Sequence, residues 1–175
     1  MKNKIKLSVI LKSVLMSVFL LVSSFGKAQD AKLQGIFIYS FTRYVQWPDE
    51  LNQGDFVISV IGDSPMVSEL QNLADKKKVD GRTIKLVKAN SVADIKKCNI
   101  LFLADTQSHL LASVLNHVND WPTLVVTQQE GLGKKGSCIN FITKEGNLAF
   151  EMNMAAIAKH QLKVFAELTR RAIVI

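Results

Sequence analysis

The chain has 175 residues, of which 22 are Lys or Arg and 15 are Asp or Glu, for a formal charge of +7. Five of the basic residues and none of the acidic ones fall in residues 1–28, so residues 29–175 carry only +2 and the basic balance gives nucleic-acid binding no support. Those 147 residues make one domain with a single core, without internal repeats, low-complexity tracts or linkers.

Residues 1–28 have the layout of a secretory signal peptide. Lys2, Lys4 and Lys6 precede an apolar run from Leu7 to Val22, and Gly26 and Ala28 form a small-x-small site, with cleavage expected after Ala28. The apolar run is 16 residues long and contains Lys12; a membrane span needs roughly 20 apolar residues. No Cys precedes Cys98, which argues against a lipoprotein. The expected location is periplasmic.

Helical spacing of Leu33, Ile36, Phe37, Phe41 and Tyr44 predicts a helix over 31–45, stopped by Trp47-Pro48. Phe56 to Ile61 reads as a strand, and Gly62-Asp63-Ser64-Pro65 as a turn that caps a helix over 66–74. Asp80-Gly81 is a turn before a strand over 83–87. Ser91-Val92-Ala93-Asp94 matches a capping box for a short helix ending near Lys97. Asn99 to Ala104 is a buried strand, 106–118 a helix with one apolar face, and Thr123 to Thr127 another apolar strand. A Gly-rich bend leads to a strand over 138–142, Glu145-Gly146 turns into a strand over 147–151, and Asn153 caps a terminal helix over 154–172, bent near Gln161.

Strands alternating with helices predict an α/β fold with a mostly parallel, helix-covered sheet in flavodoxin-like order, a C-terminal antiparallel hairpin and a terminal helix. In that order one strand separates the starts of those headed by Cys98 and Cys138, placing them about 9–10 Å apart. A disulfide requires Cα atoms within about 7 Å, so separate thiols are expected, with Cys98 and Cys138 as the redox candidates.

Gly131-Leu132-Gly133-Lys134-Lys135-Gly136 fits G-x-G-x-x-G but runs into a strand, where a dinucleotide site needs a helix; it reads as a bend. Asp105, Thr127 and Lys144 follow strand ends as in a phosphate-accepting receiver, yet only Asp63 could join Asp105 to hold Mg²⁺. No nucleophile elbow or H-E-x-x-H is present, and His109, His117 and His160 lack metal-ligand spacing. These readings predict no enzyme activity, cofactor or metal. The carboxyl ends of the strands offer a second reading, a small-ligand binding protein using Asp63, Ser64, Asp105, Thr106 and Thr127.

Three stretches are more specific: Ile38-Tyr39-Ser40-Phe41-Thr42-Arg43-Tyr44-Val45-Gln46-Trp47-Pro48, Gly136-Ser137-Cys138-Ile139-Asn140-Phe141 and Phe150-Glu151-Met152-Asn153. With Gly62-Asp63, Gly81-Arg82 and Cys98-Asn99-Ile100-Leu101-Phe102 in the expected places, the chain resembles the YfiR family of exported proteins over about residues 31 to 175. Ser40 stands where that family usually has Asn, Ser137 where it often has Gly, and two cysteines cannot supply the paired disulfides of some members. The resemblance implies a non-catalytic periplasmic regulator, dimeric by family likeness, that restrains an inner-membrane signalling protein such as a diguanylate cyclase and lowers cyclic-di-GMP signalling. Such a role calls for an exposed apolar surface, for which Trp47 with Tyr39, Arg43 and Tyr44, and Phe165 with Ile157, Leu162 and Leu168, are the partner-binding candidates. Helical spacing also fits most of these apolar side chains to a core.

Overall fold

The computed structural model describes residues 29–175; the expected leader lies outside the described residues. Helix α1 covers residues 29–44 and runs directly into a two-residue strand, β1 (Val45–Gln46). Then come β2 (Phe56–Ile61), α2 (Pro65–Lys76), β3 (Lys78–Val79), β4 (Arg82–Ala89), β5 (Ile100–Leu103), α3 (Leu111–His117) and β6 (Leu124–Thr127). The chain closes with β7 (Ile139–Lys144), β8 (Asn147–Met152), α4 (Met154–Lys159), β9 (Lys163–Val164), α5 (Ala166–Thr169) and β10 (Ile173–Val174). No helix among the described residues is long and apolar enough to cross a membrane.

Eight strands form one mixed sheet in the order β10-β8-β7-β6-β5-β2-β4-β3. Neighbours from β4 through β2, β5 and β6 to β7 pair in parallel. The β7–β8 and β3–β4 hairpins are antiparallel, and β10 adds in parallel to β8. Both hairpin turns place two successive residues at positive φ, Asp80-Gly81 (49° and 80°) and Glu145-Gly146 (51° and 78°). That backbone twist matches the twist of the flanking strands.

All of β5 and β6 is buried, as their unbroken apolar runs require. Helix α1 packs on the β7–β8 hairpin through a cluster of phenylalanines. Phe37 and Phe41 each lie 5.3 Å from Phe150, and 6.2 and 6.0 Å from Phe141, between ring centroids. Below α1, Trp47 Nε1 donates to the Asn99 carbonyl at 3.0 Å. The Asn99 side chain accepts from Val57 N at 2.9 Å and donates to the Leu51 carbonyl at 3.1 Å, binding the loop after β1 to the sheet.

Three helical expectations are corrected. Ser91 Oγ donates to Asp94 Oδ2 at 2.8 Å and leaves the backbone uncapped, so only a 3₁₀ turn forms at Val92–Asp94. The helix expected over 106–118 begins as a 3₁₀ segment, Asp105–Leu110, and becomes α-helical only from Leu111. The terminal helix is broken: Gln161 at φ 56° ends the turn after α4, and β9 then pairs antiparallel with β1. Phe165 N donates to the Tyr44 carbonyl at 2.9 Å, extending that pairing. This β pairing gives the end of α1 backbone partners that a continuous terminal helix would not supply.

Candidate functional site

A cavity of about 610 Å³ opens at the carboxyl ends of β2, β5 and β6. This is the place where parallel strands turn outward and where α/β sheets hold ligands. Ser64 lines it and accepts from Met66 N at 3.2 Å, capping α2, with Pro65 at the first helical position. Gly62, at φ 89°, makes the sharp exit from β2; a Cβ there would stand 2.6 Å from Gln107 Cγ. Asp63 pairs with Lys88 Nζ at 2.6 Å, and both side chains are well exposed. Asp105 Oδ1 accepts from Thr106 N at 2.9 Å, and Thr106 Oγ1 lies 3.4 Å from the Asp63 carbonyl, tying the β2 and β5 exits together.

Asp63, Ser64, Asp105 and Thr106 all line this cavity. Thr127 does not line the cavity: it is fully buried and faces along the sheet, while the next residue, Gln128, reaches the lining. Thr127 Oγ1 instead donates to Asn140 Oδ1 at 2.7 Å and lies 2.9 Å from Ser137 Oγ. Asn140 Nδ2 in turn donates to Glu151 Oε2 at 2.9 Å. An ionised carboxylate only accepts, so Glu151 fixes which way the buried Asn140 amide points.

The opposite wall comes from the β7–β8 hairpin and the first turn of α1. Phe141, Ile142, Leu148 and Glu151 come from the hairpin, Asp30 from that first turn and Gln34 from the second, and Glu130 joins them from the loop after β6. The hairpin register, which sets Asn140 opposite Glu151, was the signal that could have joined the two. Gly133, from the Gly-rich bend, lies against this carboxylate: a Cβ there would be 2.6 Å from Glu151 Oε2 and 2.8 Å from Ile175 Cδ1. Among the described residues, no group of three or more Asp, Glu, His or Cys side chains converges so as to hold a metal ion.

A second hollow of about 490 Å³ lies beneath the end of α1 and is bordered by Arg43, Gln46, Trp47, Arg82 and Phe165. Phe165 is 51% exposed and Arg43 is exposed, while Tyr39 and Tyr44 are half-buried. Trp47 is corrected as a contact candidate: at 5% exposure, with its N–H spent on Asn99, it is the floor of the hollow. Ile157, Leu162 and Leu168 are likewise core. Tyr39 lies apart from the hollow, its hydroxyl 3.4 Å from the Lys78 carbonyl and Lys77 Nζ 5.8 Å from its ring centroid. Arg82 lies over the Phe56 ring at 5.4 Å and donates to the Gly54 and Asp55 carbonyls at 2.8 Å each, so its guanidinium holds the loop.

Cys98 and Cys138 are both buried free thiols. Burial pushes the Cys98 thiol up to about 11 and the Cys138 thiol to about 12, against 9.0 for an ordinary thiol. Neither is a thiolate at neutral pH, the form that reacts with oxidants and disulfides.

A family profile described as YfiR/HmsC-like matches residues 31–172. No curated protein matches the chain. Among solved structures, a conserved domain protein from Vibrio cholerae O1 biovar El Tor aligns at 12% identity with a TM-score of 0.46. The alignment covers 68% of this chain and 54% of the other, so the chain spans about half the length of that structure.

Proposed function

The chain belongs to the YfiR/HmsC-like family, and from that premise we propose that it is an exported, non-catalytic periplasmic regulator. It binds the periplasmic part of an inner-membrane signalling protein, with a diguanylate cyclase as the leading partner, and lowers that protein's output. The family match across residues 31–172 is the observation that carries this reading.

The end of α1 and the β9–α5 junction supply a fitting contact surface. Phe165 is a large apolar ring half in solvent, held from behind by the β1–β9 pairing and flanked by Arg43 and Gln46. An aromatic anchor on a rigid base beside an arginine has the composition of a binding hot spot. The buried Trp47 and Asn99 keep that base in place.

Crosslinking in intact cells followed by affinity purification tests the reading. The wild-type protein should recover an inner-membrane protein with a periplasmic domain. Phe165→Ala and Arg43→Glu should each reduce recovery by about tenfold or more, as hot-spot truncations do, without changing the melting temperature materially. Recovery of no membrane protein by the wild type, under oxidising or reducing conditions, overturns it.

A further inference from the structure

The hollow beneath the end of α1 sets two arginines, Arg43 and Arg82, against one carboxylate, Asp80. The ion pairs among the described residues join Lys88 to Asp63 and Lys97 to Glu50, so both arginines are left without one. Arg82 is nevertheless held in place. Its Nε and Nη2 donate to the Gly54 and Asp55 carbonyls, Nη2 also lies 3.4 Å from the Gln53 carbonyl, and the guanidinium sits over the Phe56 ring. None of these bonds uses Nη1, whose N–H donors remain for a ligand. Burial holds this guanidinium below its ordinary value even though the charges of Asp80 and Asp55 pull the other way. A further anion at the hollow would therefore be favourable.

The rest of the hollow is largely apolar. Phe165 borders it at 51% exposure, and the buried Trp47 and Phe56 pack edge to face at 5.2 Å. The bond from Phe165 N to the Tyr44 carbonyl fixes this ring beside the last turn of α1, which carries Arg43. Cationic donors and an aromatic face are thus presented together on a backbone braced by the β1–β9 pairing.

We propose that this hollow takes an extended acidic segment of a partner protein, with Asp or Glu carboxylates on Arg43 and Arg82 and a neighbouring aromatic or aliphatic side chain against Phe165. Arginines recognise acidic motifs by charge-assisted hydrogen bonds, and the apolar neighbour fills surface that an anion alone would leave in water. Free phosphate would meet the arginines and leave Phe165 exposed. The balance of +2 over residues 29–175 gives an anionic membrane little hold on the molecule as a whole. The inference rests on the reading of the chain as a protein-binding regulator and adds what its contact surface recognises.

Selection of a random heptapeptide library, displayed on phage, against the processed protein is the experiment, followed by fluorescence anisotropy with synthetic copies of the selected peptides. Selected sequences should carry Asp or Glu next to Phe, Tyr, Trp or Leu. Raising NaCl from about 50 mM to about 500 mM should weaken their binding through screening. Arg43→Glu changes an exposed side chain without an ion pair and should bind these peptides about tenfold or more weakly, as should Phe165→Ala. The same library selected on Arg43→Glu should yield Lys or Arg in place of the acidic residue, a reversal that loss of structure would not give. Urea unfolding establishes that each variant is folded. Failure to enrich any sequence overturns the proposal, as does enrichment of sequences lacking Asp and Glu, or equal affinity for folded Arg43→Glu. Displacement of the peptides by phosphatidylglycerol vesicles overturns it too, because the face would then be a lipid contact. Any of these results alongside recovery of a membrane protein by crosslinking in cells removes this inference and leaves the regulator reading standing. Peptide binding as expected, with no membrane protein recovered in cells, does the reverse.

Discussion

The two cysteines show how burial sets the chemistry of a single side chain. Each precedes a central strand, and the dry interior disfavours the thiolate, so the folded protein keeps both protons to about pH 11 and about pH 12. In the unfolded chain both thiols ionise near the ordinary value of 9.0. Above that pH the unfolded state binds fewer protons than the folded one, so stability falls as pH rises. The contribution is fully present below about pH 9 and is lost toward the folded values, at up to about 1.4 kcal/mol per pH unit for each thiol. Urea unfolding under reductant, compared between about pH 8 and about pH 10.5, should therefore show a steeper loss for the wild type than for a Cys98→Ala/Cys138→Ala double variant. Equal slopes would mean that these thiols are not dry. The native protein should also resist a thiol-reactive dye at neutral pH until it is unfolded.

At the scale of elements, strong periodicity was legible and short-range pairing was not. The unbroken apolar runs of β5 and β6, and the Ser64-Pro65 start of α2, carry their own signals in composition and capping chemistry. Strands β1 and β9 have two residues each and no period, and they exist because they pair with each other. The candidate site divides the same way. Asp63, Ser64, Asp105 and Thr106 follow strand ends in sequence, whereas Asp30 and Gln34 reach the cavity only because α1 starts above it. Thr127 shows the limit of the strand-end rule, since the final strand residue points into the sheet. Gln161 sits where the terminal helix breaks. Its φ of 56° costs a non-glycine residue about 1 kcal/mol, so Gln161→Gly should stabilise the fold by up to about 0.5 kcal/mol once glycine's greater unfolded-state entropy is counted. Gln161→Val, β-branched at the same angle, should destabilise it, and urea midpoints for the pair check both directions. A stabilising valine would show that this turn relaxes to another backbone conformation.

For the whole molecule, the mixed sheet raises the question of what covers its edges. On one side β3 is a two-residue edge strand whose Lys78 is exposed, a feature that discourages pairing with another chain. On the other, β10 lies against β8, with Ile173 opposite Glu151 and Val174 opposite Met152, and Ile175 N donates to the Met152 carbonyl at 3.0 Å. These last residues therefore close the sheet and also back the Glu151 carboxylate, since Ile175 and Glu151 meet at Gly133. Removing residues 173–175 should uncover that edge. The freed edge of β8 should promote self-association, visible as a concentration-dependent shift in sedimentation or light scattering. If the truncated chain stays at its original size, β10 does not guard the sheet edge.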